Sequence, residues 1–347
     1  MTEDKKYNAA IIGCGRIGCG DFDDHERRSG IIYGHTASYL ACPQTELIAL
    51  CDSNKNQLNK YSKKYSANSY TNYKEMLEKE SIDIISICTP PSTHCDIIED
   101  CLSSNIKALY CEKPIDECID KASYVTKKCR DKGVLLAINH QRRFGKFHQL
   151  LSGLIRSGDL GSIEQISVFY GAGISNTGTH FIDLLNFYLG KEVDWVYGIK
   201  SQNKCSLKFD LNIDGFISYK EGPLASIQST NAFGILEIIF ITTLGRFTVN
   251  MHHPFTTDPI IKFEKIVDNV FFEGATKLEK CKDSFNIRWI HSQDHNDMFS
   301  GILEICKCLD EEKLDIVSNG ETGVYALKII DALVLSSNKD IKIFIEP

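Results

Sequence analysis

At 347 residues, 43% of them hydrophobic, the chain exceeds the size at which one apolar core keeps growing, so two domains are expected. Its net charge of −7 comes with no basic stripe beyond runs such as Lys127, Lys128 and Arg130; this excludes a nucleic-acid partner and leaves those runs as solvated helix faces. No apolar run approaches the roughly 18 residues of a membrane span, and 14 cysteines with no CxxC pair, behind a polar N-terminus without an apolar signal segment, read as free thiols of a cytoplasmic protein with no metal site.

The first informative stretch is Tyr7–Gly18, where a strand near Ala9–Ile12 runs into Gly13-x-Gly15-x-x-Gly18. Glycines at this spacing let the backbone approach a pyrophosphate at a helix N-terminus, although the same triplet also occurs in ordinary tight turns. A second strand, Leu47–Cys51, ends in Asp52, about where an acid meets the ribose hydroxyls of a dinucleotide. Apolar runs at Ile82–Cys88, Ala108–Cys111 and Leu135–Asn139 alternate with amphipathic stretches, the pattern of βαβ units and a parallel sheet. Thr89-Pro90-Pro91 stops the third of these strands, since proline cannot continue a ladder. The helix that follows from about Thr93 begins at the carboxyl edge of the sheet, where ligands bind in this architecture.

After Arg142 a helical stretch runs to Gly158 and the pattern changes. Strands are predicted over 162–170, 193–200, 207–219, 225–230, 236–242 and 246–250, with hairpin-like breaks at 212–215, 221–223 and 244–245. Helices over 293–309 and 322–337 and a strand over 341–345 close the chain. The expected fold class is α/β plus α+β. A Rossmann doubly wound parallel sheet fills residues 1–140, and an open-faced, largely antiparallel sheet domain fills 141–347, its terminal segment able to pack back on the first. Ile213, Phe216, Ile227, Ile238, Phe240 and Ile241 give that second sheet more apolar residues than one covered face needs, which predicts a homo-oligomer, a dimer or tetramer.

Two residues stand out chemically. Lys113, in Glu112-Lys113-Pro114, lies just beyond a strand end; a solvated charge is the ordinary reading, but the proline restricts the residue before it and so aims the side chain. His180 opens a segment apolar nearly all round, a buried helix in which Asn176, His180 and Asp183 share a face if the helix starts early enough. That is either a core histidine held by Asp183 or three polar groups facing a ligand cavity.

The set GCGRIG at 13–18, TPPSTH at 89–94, CEKPI at 111–115, NHQRRF at 139–144 and GTHFIDLLNFYLG at 178–190 resembles the glucose-fructose oxidoreductase, inositol dehydrogenase and MocA family, in order along essentially the whole chain. The resemblance implies an NAD(P)-binding Rossmann domain, a substrate domain that often mediates oligomerisation, and hydride transfer between a sugar-like carbinol and nicotinamide. It makes Lys113 and His180 catalytic, with Asn176, Asp183 and Arg142 on the substrate. Gly13, Gly15, Arg16, Ile17, Gly18, Asp52, Thr89, Pro90, His94, Glu112 and Lys113 fall to the cofactor. NAD is expected over NADP, because Asp52 would repel a 2′-phosphate and Ser53-Asn54 offers no arginine, Lys55 being the one feature against this.

Two departures qualify the resemblance. Many sugar and inositol dehydrogenases of the family carry Asp where this chain has Asn176, an amide that orients a hydroxyl but does not titrate. The Asn form resembles nucleotide-sugar dehydrogenases of polysaccharide pathways and points to a nucleotide-linked sugar. Cys19–His35 looks like an insertion after the glycine turn, in which Arg27 and Arg28 either meet a substrate phosphate or lie in a solvated loop. The rival readings are a non-sugar carbonyl reductase or diol dehydrogenase of the same fold, and a catalytically silent dinucleotide-binding regulator.

Overall fold

A computed structural model describes residues 6–20, 32–232, 234–251 and 297–346, together with the backbone of 260–265 and 286–287. The chain divides into two compact units, Met1–His148 with His291–Leu327, and Gln149–Ile290 with Lys328–Pro347. The first unit thus runs past residue 140 and includes a stretch near the C-terminus.

The first unit is built on a six-stranded parallel sheet, ordered β3-β2-β1-β4-β5-β6. Its strands are β1 (Tyr7–Ile12), β2 (Thr45–Cys51), β3 (Asn68–Tyr70), β4 (Ile84–Ile87), β5 (Ala108–Cys111) and β6 (Leu135–Ile138). Helices α1 (His35–Ala41), α2 (Lys55–Tyr65), α3 (Tyr73–Lys79), α4 (His94–Cys101) and α5 (Ile119–Asp131) connect them. Period-two alternation gives the sheet two cores. Ala10 and Ile12 of β1 join Ile85, Leu109 and the α4 and α5 residues Ile98 and Val125 on one face. Ala9 and Ile11 join Tyr39, Leu58 and Ile305 on the other. Ile305 belongs to α8 (Asp297–Asp310), which therefore completes the first core although it follows the second sheet in sequence. The short strand β3 escaped prediction because Asn68-Ser69-Tyr70 is an exposed edge with no apolar run.

Strand order reverses between β1 and β4, the switch point at which such sheets bind ligands. Beyond Gly18 the chain leaves and returns: His35 N–H bonds Ile17 O at 3.1 Å and Thr36 N–H bonds Gly18 O at 3.0 Å. Helix α1 thereby continues the turn begun at Gly15, the arrangement expected of an insertion between 19 and 35. Arg27 and Arg28 lie outside the described residues.

The second unit holds a nine-stranded sheet, ordered β14-β13-β12-β11-β7-β10-β9-β8-β15. These are β7 (Ile163–Gly171), β8 (Val193–Lys200), β9 (Ile213–Tyr219), β10 (Leu224–Thr230), β11 (Leu236–Thr242), β12 (Gly245–Asn250), β13 (Ile260–Lys265), β14 (Asn286–Ile287) and β15 (Ile343–Phe344). Every pairing is antiparallel except β7 with β10. Helix α7 (Thr179–Leu189) belongs wholly to this unit, while α6 (Lys146–Ser157) and α9 (Gly320–Lys339) begin in residues of the first and end in residues of the second. The turn at 221–223 is where the sequence puts it and the one predicted at 244–245 falls at 243–244, but 213–215 lies inside β9, and the strand predicted from 207 starts only at Ile213. Helix α7 covers one face, Tyr170 meeting Phe181 at 5.1 Å and Tyr188 meeting Phe240 at 6.2 Å between ring centroids. That face also buries Ile213, Ile227 and Ile238. Four of the six apolar residues taken as surplus therefore belong to the core, and only Phe216 and Ile241 lie on the more exposed side.

Candidate active site

In the first unit the glycine turn sits at the carboxyl end of β1, and its three glycines have separate reasons. Gly13 adopts φ +98°, and a Cβ there would meet the Cys88 carbonyl carbon at 2.6 Å. A Cβ on Gly18 would overlap the Gly13 carbonyl. Gly15 faces open space, with nothing within 4 Å of such an atom. The cradle is thus closed on its packing side and open where a pyrophosphate would lie, so these residues fit a dinucleotide. Arg16 is exposed and Ile17 half-buried beside it.

Asp52 closes the turn. Its Oδ2 accepts the Cys14 N–H at 2.7 Å and its Oδ1 the Asn54 N–H at 2.7 Å, which fixes the carboxylate beside the glycines. Each oxygen keeps a lone pair for a ribose hydroxyl. Asn54 then caps α2, accepting from the Asn56 and Gln57 N–H groups.

At the ends of β4 and β5 two turns are tied together by His94. This buried side chain has Nε2 2.8 Å from the Thr89 carbonyl oxygen and Nδ1 3.0 Å from that of Pro114. His94 is therefore a strut, holding the exposed Pro90 turn against the Lys113–Pro114 peptide, which is cis. Lys113 is half-buried at this corner.

Behind Lys113 lies a buried polar network. Glu112 Oε1 stands 3.0 Å from His35 Nε2 and accepts from Asn139 Nδ2 at 2.5 Å, while Oε2 accepts the Lys113 N–H at 3.3 Å. Tyr110 donates to Asn139 Oδ1 at 2.6 Å. His35 Nδ1 lies 2.7 Å from Ser86 Oγ, itself 2.8 Å from the Tyr39 hydroxyl. Burial pushes the Glu112 carboxyl up, yet His35, Asn139 and the Lys113 charge outweigh it and hold the group below its ordinary value. His35, Ser86, Tyr39 and Asn139 were not singled out from the sequence; His35 closes the segment read as an insertion, and Ser86 reads as one polar residue in an apolar strand.

Arg142 lies in the 3₁₀ turn Gln141–Phe144, half-buried. Its charge opposes the desolvation that raises Asp297 to about 7 and adds to the burial that lowers His148 to about 3.

In the second unit a π-helical turn, Ile174–Gly178, leads directly into α7. The helical run thus starts before Asn176, the condition for Asn176, His180 and Asp183 to share a face. Asp183 is buried; Asn176 and His180 are half-buried. Among the described residues no group of His, Cys, Asp or Glu is placed to hold a metal ion, and no helix is long and apolar enough to cross a membrane.

A family model described as "Oxidoreductase family, NAD-binding Rossmann fold" matches residues 7–140. The uncharacterised oxidoreductase YrbE of Bacillus subtilis is 23% identical over 208 residues, 56% of this chain and 57% of its own. Inositol 2-dehydrogenase of Rhizobium meliloti is 30% identical over 125 residues, 32% of this chain and 38% of its own. The chain thus matches less than two thirds of the length of either relative. The WlbA dehydrogenase of Bordetella pertussis, solved with NADH and UDP-GlcNAcA, has the same fold at 18% identity, with a TM-score of 0.75 covering 99% of this chain and 100% of that one. Residues 7–140 thus match an NAD-binding Rossmann oxidoreductase family, and over its whole length the chain has the fold of a solved dehydrogenase.

Proposed function

We propose that the protein is an NAD-dependent dehydrogenase acting on the CH–OH group of a sugar, with a nucleotide-linked sugar as substrate. The observation that carries this reading is the position of Lys113, which follows β5 at the same carboxyl edge as the glycine turn after β1, in a corner where His94 ties the Thr89 and Pro114 carbonyls together. A bound nicotinamide supplies the hydride acceptor. The chain's own task is to orient the carbinol and take its proton. Lys113 Nζ and the His180 imidazole are the two groups assigned to that proton transfer. Asn176 orients a hydroxyl, since an amide donates and accepts but does not titrate. Asp183 and Arg142 complete the substrate set, and Arg16, Ile17, Thr89 and Pro90 join the glycines and Asp52 on the cofactor.

The nucleotide-sugar assignment is supported by Asn176 and by the likeness in fold to a dehydrogenase solved with a UDP-sugar. The thirteen cysteines among the described residues are free thiols, which suits a cytoplasmic setting. A homo-oligomer, built through the more exposed sheet face that carries Phe216, completes the proposal. The deciding experiment is a screen of UDP-sugars, aldoses and polyols for NADH production. Turnover of a UDP-sugar supports the reading; tight NAD binding with no turnover of any carbinol overturns it in favour of a dinucleotide-binding regulator.

A further inference from the structure

The turn that carries Asn176 is held from outside its own helix. A helix leaves its leading N–H groups without partners in the run, and here one tripeptide takes four of them. Gly173 N–H donates to Asn212 Oδ1 at 3.1 Å and Ile174 N–H to the Leu211 carbonyl at 2.7 Å. Ser175 N–H donates to Asp210 Oδ1 at 3.1 Å and Asn176 N–H to Asp210 Oδ2 at 2.8 Å. The carboxylate also meets the positive end of the helical run, where negative charge is favoured.

Two details show that this is a fitted joint. Asp210 Oδ1 accepts its neighbour's N–H, from Leu211, at 2.8 Å, so the side chain is fixed from both sides. Gly173 sits at φ +87°, and a Cβ there would fall onto the carboxylate, so this approach requires glycine. The turn itself is widened: Gly178 N–H reaches back five residues to the Gly173 carbonyl at 3.0 Å, a geometry that tends to occur at functional sites.

We infer that Asp210 is a positioning residue of the substrate site, fixing the place of Asn176 and, through the start of α7, of His180. The inference rests on the functional reading above. Asp210 acts through the turn and not on the reacting atoms, so its loss moves substrate recognition while leaving the cofactor half untouched.

The test uses the full chain and the substrate found by the UDP-sugar, aldose and polyol screen. Asp210→Asn keeps one acceptor and replaces the other with a donor. It is expected to raise KM about tenfold, the scale of one lost charge-assisted hydrogen bond, with the NAD dissociation constant within about twofold of wild type. Asp210→Ala is expected to raise KM further. Amide exchange at Ser175 and Asn176 should accelerate in both variants while β7 and β11 stay protected. Accelerated exchange with unchanged KM would reduce Asp210 to a structural cap, and unchanged exchange would remove the clamp; either overturns the inference. If wild type oxidises nothing in the screen, the functional reading and the positioning role fall together, while exchange still reports whether Asp210 holds the turn.

Discussion

His35 and Glu112, 77 residues apart in sequence, meet at 3.0 Å between Nε2 and Oε1 in a region closed to solvent. Burial pushes the Glu112 carboxyl up, and this pairing is foremost among the contacts that hold it below its ordinary value. His35→Leu leaves the buried Glu112 carboxylate short of one charge-assisted hydrogen bond, which should cost about 2 kcal/mol. The Glu112 carboxyl is depressed in the folded state, so its stabilisation is present above the ordinary value of 4.5 and lost as pH falls through the lower folded value. Urea unfolding of His35→Leu at pH 7 checks this; a midpoint equal to wild type would show that the pair carries no weight.

NADH should bind more tightly than NADPH. Asp52 is fixed by the Cys14 and Asn54 N–H groups and cannot swing away from a 2′-phosphate without losing both bonds. Fluorescence titration of both cofactors decides the point, and Asp52→Ala should narrow the difference.

Lys113→Ala should lower turnover roughly a hundredfold, the usual scale for a lost acid-base group, with little change in cofactor affinity. His180→Ala should act similarly, with added loss of substrate binding. Asn176→Ala should raise KM more than it lowers kcat. Steady-state kinetics on the substrate from the screen separates the three, and a Lys113→Ala enzyme within a few-fold of wild type would remove the mechanism.

His148 gives a pH signature. Burial and the Arg142 charge lower it to about 3 from 6.5, so the folded state keeps it neutral while the unfolded state takes a proton. Stability should therefore fall below pH 6.5 by about 1.4 kcal/mol per pH unit from this group, the slope of one proton. Thermal melts of wild type and His148→Gln between pH 7 and pH 5 should diverge in that direction.

Phe216 is 37% exposed on the face of the second sheet that α7 does not cover. Light scattering should give the mass of a dimer or tetramer, and Phe216→Glu should lower it if that face is the contact. A monomer across working concentrations would discard the proposal.

Much of this was legible in the sequence because it rests on local rules. Short continuous apolar runs between turn residues marked five of the six parallel strands, and β8 and β11 agree residue for residue over 193–200 and 236–242. Glycine spacing and an acid after β2 mark the turn in which Asp52 accepts the Cys14 N–H. What tertiary structure alone decided are relationships between distant segments, which leave no periodic trace. Residues 297–327 return to the first unit because Ile302 and Ile305 fill a core that β1 and α1 leave open. Four apolar residues that looked surplus in the second sheet are its core, since period two cannot say which face a helix will cover. The Glu112 carboxyl is held below its ordinary value because His35 meets it from 77 residues away in sequence, and Asn176 is held because Asp210 arrives from a stretch the sequence read as strand. Hydrophobic pattern fixes which residues are buried along an element. Which polar groups then meet is set by the desolvation cost of leaving them unpaired, which only the folded chain can settle.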